Sequence, residues 1–430
     1  MDIRGLRSTR GIRAGVAVAA LVFAALAGPA RAQEITVWSG YPEMEPFYKR
    51  VAEGMKAKYP NLKVNVQAIP LREHEKRMAL ALPSNSAGDI LEIQLGSAQR
   101  YLEAGLLKEA PAAVASFVKD PANFDAFFSN EATFEGKVSA VPLFRGQGSL
   151  FYNTEMFAAA GLSGPPKTMA EYSEFAKKLT QRDASGKATV SGWSLRLSGG
   201  GQGIAEKFAI NMFQFGGSLL TKKGDKWQAS FANEAGRNTL KQYLQSIYVD
   251  KTVTPEMPAD ADAFERKQTA MFIRESWVVG DIATKAPDLK YATAPLPRGS
   301  IVATVHLWTP STGAKAEAAW AFAMAANEPQ NLSWLLENVG WLPNRKVDLS
   351  AIIKAKPAFG AFVNYPKEYG FFTLPAIGPI DEILTRIAAR LVAGFGDPEL
   401  VKSDDKIDAF LKAAAAETDG ILQREGLLAK

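Results

Sequence analysis

Between Gln33 and Leu107 the chain alternates strand-like and helix-like segments, and that alternation leaves few folds open. Ile35-Thr36-Val37-Trp38 is a β-branched run closed by Ser39-Gly40. Met44, Phe47, Val51 and Met55 follow at three- and four-residue spacing, the period of a helix with one apolar face. Tyr59-Pro60-Asn61 stops that helix, and Leu62, Val64, Val66 and Ala68 then alternate with polar residues as a half-buried strand. Residues 71–82 read as a second helix with a charged face, on which His74 is expected to be solvated. Gly88-Asp89 opens a strand over 90–95, and 98–107 reads as a third helix. This βαβαβ order predicts an α/β fold, a parallel sheet covered by helices on both faces.

Residues 1–32 have the form of an export signal. Arg4, Arg7, Arg10 and Arg13 precede a 14-residue apolar run over 14–27, then Gly28-Pro29 and the small-x-small site Ala30-Arg31-Ala32. The run is short of the ~20 residues that span a bilayer, so cleavage after Ala32 is expected over retention as an anchor. The signal carries five Arg and one Asp, so 45 of 50 basic and 44 of 45 acidic residues remain, a net charge of +1. Nothing in that balance draws the chain to nucleic acid, which needs clustered cations. Cysteine is absent, so no thioether-linked lipid anchor is expected, and the product should be free in a periplasm. The 398 remaining residues exceed what one core usually fills, which suggests two domains.

Further along, Phe134-Glu135-Gly136-Lys137 reads as a turn between short strands, Ala140-Val141-Pro142-Leu143 as extended chain, and 149–153 as a strand. A short helix over 154–160 stops at Gly161, and Thr168 with Glu171 forms a capping box for the next. Helices are expected over 204–214, 235–248, 261–269, 315–326, 331–338, 379–393 and 404–428. No repeat or low-complexity linker separates two lobes, so the chain should cross between them as extended segments.

The order of these landmarks resembles the extracellular solute-binding proteins of ABC importers, the family that includes the maltodextrin-binding proteins. The matching pieces are Ile35–Trp38, Phe134-Glu135-Gly136-Lys137 with Ala140-Val141-Pro142, Leu150-Phe151-Tyr152-Asn153, Phe157 through Gly161-Leu162, and Pro165-Pro166-Lys167-Thr168. Phe264 through Ala270-Met271-Phe272 to Trp277, Ala294-Pro295-Leu296-Pro297 and Gly340-Trp341-Leu342-Pro343 follow. One departure is Ala87-Gly88-Asp89, where the family usually shows Pro before the Asp. The resemblance implies the periplasmic-binding-protein fold: two α/β lobes joined by hinge strands, with a ligand cleft between. Crossings near 141–144, 302–306 and 340–344 divide the chain into lobe one, 33–142 plus 305–339, and lobe two, 143–303 plus 340–430. It implies capture of a small carbohydrate by closure and delivery to membrane permease subunits, by a monomer without metal or cofactor.

Ligands of open α/β sheets sit beyond the carboxyl ends of strands. That rule selects Trp38, Tyr41 and Glu43 after the first strand, Glu92 and Gln94 around the third, and Arg145 and Gln147 after the first crossing. Arg196 and Gly200 are selected in the second lobe, Gly200 within a glycine-rich run that lacks the Gly-Lys-Ser/Thr ending of a phosphate loop. Glu275, Trp277, His306, Trp308, Trp341 and Arg345 complete the ring. Aromatic faces for C–H patches and planar polar groups for hydroxyl pairs are the mixture a sugar needs. Each has a plainer reading, as core aromatic, helix cap, surface ion pair or hydrogen-bonded structural histidine. A neutral mono- or oligosaccharide is the expected ligand; Arg145, Arg196 and Arg345 keep an acidic sugar derivative open as the alternative. A secreted carbohydrate hydrolase is the rival of another class. Two histidines and no cysteine leave little for a metal or a nucleophile–His pair, so it would need two facing carboxylates.

Overall fold

The computed structural model describes residues 33–199 and 201–430; residues 1–32, expected from sequence to be an export signal, lie outside the described residues. The strands of its two main sheets, in chain order, are β1 (Gln33–Ser39), β2 (Leu62–Ala68), β3 (Ile90–Gln94), β4 (Ala140–Gln147), β5 (Ser149–Asn153), β6 (Met271–Arg274), β7 (Tyr291–Ala294), β8 (Gly299–Trp308), β9 (Leu342–Pro343) and β10 (Gly370–Phe372).

The first sheet runs β9-β4-β8-β3-β1-β2, with β10 attached to β8. β1 is parallel to β2 and β3, with Val37 opposite both Val66 and Ile90. The expected βαβαβ unit is therefore present, with helices Glu45–Met55, Leu71–Ala81 and Leu95–Glu103 between and after its strands. In β3 the run Ile90-Leu91-Glu92-Ile93 is buried throughout, as for a strand covered on both faces. Its core gathers Ile35, Phe47, Tyr48, Ile90, Val305, Trp308 and Phe322.

The second sheet is antiparallel, in the order β6-β5-β7. Successive residues of β5 point to opposite faces. Leu150 joins a large core with Phe208, Tyr243, Leu384 and Leu411, whereas Phe151 packs on Phe264, Phe272 and Phe362 on the other side. Two α/β lobes result, and β4 and β8 run through the joint between them.

β8 is the longest of these ten strands. Gly299–Ile301 pair with β10, Val302–Trp308 with β4, and Val305–Trp308 with β3. The β4–β8 register slips between Val305 and His306, which face Phe144 and Pro142 and leave Leu143 as the extra residue. Pro142 has no N–H to give the ladder, so a bulge beside it relieves an otherwise broken pairing. The Leu143 carbonyl instead accepts from Asn344 N at 2.9 Å, which draws the 342–344 segment alongside as β9.

Several expected helices differ in extent. The helix expected over 261–269 is Asp260–Glu265 alone, because Lys267 adopts φ 58, a left-handed value that no helix continues through. That expected over 404–428 ends at Arg424, two residues before Gly426 at φ 67. The Thr168 cap forms as expected, its hydroxyl accepting from Glu171 N at 3.2 Å.

Across the joint, helix Leu95–Glu103 meets helix Ile380–Phe395 through one carboxylate. Asp381 accepts from Arg100 Nη2 at 2.7 Å, Ser97 Oγ at 3.2 Å and Gln202 Nε2 at 2.8 Å. Arg100 is 39% exposed, so Arg100→Ala should cost under about 1 kcal/mol of stability. The same variant should enlarge the radius of gyration of the ligand-free protein in solution scattering. An unchanged radius would mean that other contacts set the lobe spacing.

Candidate ligand-binding cleft

Between the lobes lies a cavity of about 430 Å³. Its lobe-one wall is Tyr41, Pro42 and Glu43 after β1, Pro70 to Glu73 after β2, and Gln94 at the end of β3. All three are carboxyl ends of parallel strands, the position the fold reserves for ligands. The lobe-two wall is Arg196, Glu206, Lys207 and Ile210, with Arg274, Glu275 and Trp277 after β6. Hinge residues Gly146, Ile301, Ala303 and Val305 form the floor with Trp341. Gly146 keeps the floor close to both walls: a Cβ there would lie 3.1 Å from the Glu275 side chain and 3.5 Å from the Trp341 ring.

Of the residues expected from sequence, Tyr41, Glu43, Gln94, Arg196, Glu275, Trp277 and Trp341 meet at this cavity. The Tyr41 hydroxyl accepts from Gln94 Nε2 at 3.2 Å, and Trp341 Nε1 donates to Glu43 at 3.1 Å. Trp341 is otherwise buried, packed at 4.8 Å between ring centroids on Phe144 and edge-on to Tyr41 at 5.5 Å. Trp277 remains half-exposed, with Arg274 over its ring at 5.3 Å. Glu275 accepts from Lys207 at 3.2 Å and Arg274 at 2.7 Å. Burial alone would raise its carboxyl, but those two cations hold it down to about 2.

Other expectations do not meet at the cavity. Trp38 is core, with the Arg77 guanidinium stacked on it at 3.5 Å and Gly88 pressed against its edge. Trp308 is core too, its Nε1 donating to Ile93 O at 3.0 Å. Gln147 is buried and donates to Phe362 O at 3.3 Å. His306 is buried in the hinge strand, its Nε2 3.0 Å from the Thr304 hydroxyl, which donates to Glu131. Arg145 gives its guanidinium to Pro343 O and lies over Phe128 at 5.5 Å. Arg345 is spent on Asn123 and the Asn327 carbonyl and lines a groove on the outside of lobe one. Two of the three arginines behind the acidic-ligand alternative are therefore away from the cleft. Gly200 lies outside the described residues.

Glu92 stands one layer behind the wall. It is fully buried and accepts from Ser39 Oγ at 2.6 Å and from the Tyr48 hydroxyl, so it anchors the loop that carries Tyr41 and Glu43. Burial pushes its carboxyl up to about 8. His74, expected on a solvated helix face, is instead buried, with Nε2 3.0 Å from the Glu92 carbonyl, and burial brings it down to about 4. The charged residues around it masked an inward-facing position.

Sequence reasoning missed Arg72, Glu206, Lys207 and Arg274. The carboxyl-end rule covers the loop after β2 as well as those after β1 and β3, so Pro70 to Glu73 was findable. Glu206 and Lys207 stood out as charged residues in a helix whose other side is Ile204, Ala205, Phe208, Ala209 and Ile210.

A hinged pair of α/β lobes with a polar and aromatic cleft at the carboxyl ends of its strands defines a ligand-binding clamshell, a class rather than a single protein. The model of the bacterial extracellular solute-binding proteins matches residues 50–361, and the chain belongs to that family. A Brucella abortus (strain 2308) protein whose name describes it only as a binding protein is 21% identical over 423 residues, 96% of this chain and 98% of that one. Among solved structures, an ABC substrate-binding protein from Listeria monocytogenes in complex with cycloalternan is 17% identical, with TM-score 0.77 over 91% of this chain and 99% of that one. Maltose-bound MalE3 of T. maritima is 19% identical, with TM-score 0.76 over 91% of this chain and all of that one. The fold is thus shared with proteins that bind ligands, in a family named for an extracellular place.

The two buried groups behind the wall should shape stability against pH in opposite directions. Glu92 has a folded value above its ordinary 4.5, so its stabilisation is complete below 4.5 and is lost as pH rises through about 8. His74 has a folded value below its ordinary 6.5, so its stabilisation is present above 6.5 and lost as pH falls through about 4. Melting temperatures across pH should therefore show less alkaline loss in Glu92→Gln, and a parallel curve would reassign that limb to other groups.

Proposed function

We propose that this protein is the periplasmic substrate-binding component of an ABC importer that captures a sugar by closure of the cleft and passes it to membrane permease subunits. The observation that carries this reading is the cleft itself. Aromatic Tyr41 and Trp277 and planar polar Glu43, Gln94, Arg196 and Glu275 come from both lobes onto one cavity floored by the strands that join them. A ligand touching both walls is bound better by the closed state and shifts the equilibrium towards it. The carbohydrates named for the two structural neighbours agree with that chemistry.

On this reading the protein acts as a monomer after loss of residues 1–32, with lobes 33–142 plus 305–339 and 143–303 plus 340–430. It performs no chemistry on its ligand. A hydrolase would need two carboxylates free to act across the cleft, whereas Glu275 is tied to Lys207 and Arg274 and Glu92 is sealed behind the wall. The arrangement also favours a ligand without negative charge, since the cleft cations Arg72, Lys207 and Arg274 are held by carboxylates.

A thermal-shift screen over sugars, polyols and glycosides should give a stabilising ligand that is recovered intact, and scattering should show compaction at saturation. An unchanged radius of gyration would count heavily against closure. Trp277→Ala should leave the melting temperature nearly unchanged and weaken that ligand about tenfold or more by calorimetry, since stacking adds about 0.5–1.5 kcal/mol to area burial. Unchanged affinity would remove Trp277 from the site.

A further inference from the structure

The charges around the cleft are unequally satisfied. Each cation there has a carboxylate. Arg72 Nη1 donates to both Glu75 oxygens, at 2.8 and 2.9 Å, and the same guanidinium faces Glu206 at 3.7 Å. Lys207 and Arg274 share Glu275, Arg274 also pairs with Asp260 at 2.6 Å, and Arg196 faces Asp260 at 3.9 Å. The converse does not hold for Glu43. Its hydrogen-bond partner is the Trp341 indole N–H, and among the described residues no Lys or Arg stands within 4.0 Å of it.

Glu43 is also set among rings. Tyr41 from the lobe-one wall and Trp277 from the lobe-two wall both approach Trp341, their ring centroids 5.5 and 6.4 Å from its own. An unpaired carboxylate beside aromatic faces attracts a cation twice over, through its own charge and through the rings. Trp277 already carries one cation, Arg274, over its ring at 5.3 Å. An anionic group entering here would meet Glu43 and would have to displace Glu275, Glu206 or Asp260 from their partners. Burial raises the Glu43 carboxyl above its ordinary value, so a bound cation, unlike a hydroxyl, would offset the cost of keeping its charge as closure expels water.

We propose that the ligand carries a protonated amine, seated on the Glu43 carboxylate beside Tyr41 and Trp277, so that the sugar this cleft takes is an amino sugar with a free amine. This rests on the sugar-binding reading above and adds the charge of the ligand and the residue that reads it.

The test uses three disaccharides of one skeleton: the β-1,4-linked glucosamine dimer, its N,N′-diacetyl form and cellobiose, which place a charged amine, a neutral amide or a hydroxyl at the same carbon. Calorimetry on the mature protein in mildly acidic buffer, where the amines are charged, should give the free-amine dimer about tenfold or tighter binding than either neutral form. That advantage should shrink as ionic strength rises. Glu43→Gln keeps an oxygen for the Trp341 N–H and should bring the three affinities within about threefold, with the melting temperature of the free protein unchanged. Equal or tighter binding of a neutral form, or a preference that survives Glu43→Gln, would overturn the amine seat and leave the sugar-binding reading standing. Failure of all three to bind would also overturn it. If a wider panel of sugars then failed as well, with the fold intact, the sugar-binding reading would fall too.

Discussion

The ladder between β4 and β8 is the interaction on which the rest of the molecule depends. In it one strand pair is at once core of a lobe and floor of the cleft: Trp308 and Val141 are packed in lobe one, while Ala303 and Gly146 face the cavity. A rotation of one lobe against the other must be absorbed by these strands. The slip between Val305 and His306 marks the weakest point of the ladder, because Pro142 supplies no donor and Leu143 stands unpaired with β8. Around it buried polar side chains stand among the apolar ones, His306 on Thr304 and Thr304 on Glu131. Hydrogen bonds can reform in a slightly different geometry, whereas interdigitated apolar side chains resist sliding.

The walls obey a different constraint. Buried charges are costly unless paired, and a cleft that closes must tolerate both a wet and a dry state. Lys207, Arg274, Glu275 and Asp260 meet this by satisfying one another before any ligand arrives, so closure dries a network that is already neutralised. The same pairing makes the lobe-two wall rigid, since Arg274 holds the face of Trp277 as well as two carboxylates. The opposite wall is held from behind: Ser39 and Tyr48 on Glu92 fix the loop that presents Tyr41 and Glu43. Contacts across the joint, through Asp381 and between Arg72 and Glu206, then tie the two walls together with exposed or half-exposed groups that water can replace.

The sequence by itself determined the class of fold. Alternating strand and helix periods are local, so the βαβαβ unit, the Phe134–Lys137 turn and the Thr168 cap could be read from neighbours a few residues apart. The crossings expected around 141–144, 302–306 and 340–344 came instead from the family resemblance, and those segments lie side by side as β4, β8 and β9. What local pattern could not supply is which side of a strand end faces a cleft and which faces a core. Trp38 and Tyr41 both stand near the carboxyl end of the first strand, yet one is sealed under Arg77 and Gly88 and the other lines the cavity. Arg145 and Arg196 looked alike, yet one is consumed by a carbonyl of the returning chain 198 residues away. Those outcomes depend on partners brought in by lobe packing, as does the burial of His74 against β3, and so does the unpaired state of Glu43. Only the tertiary structure decides them, because a side chain's surroundings are set by contacts far apart in the chain, whereas its backbone period is set by its neighbours.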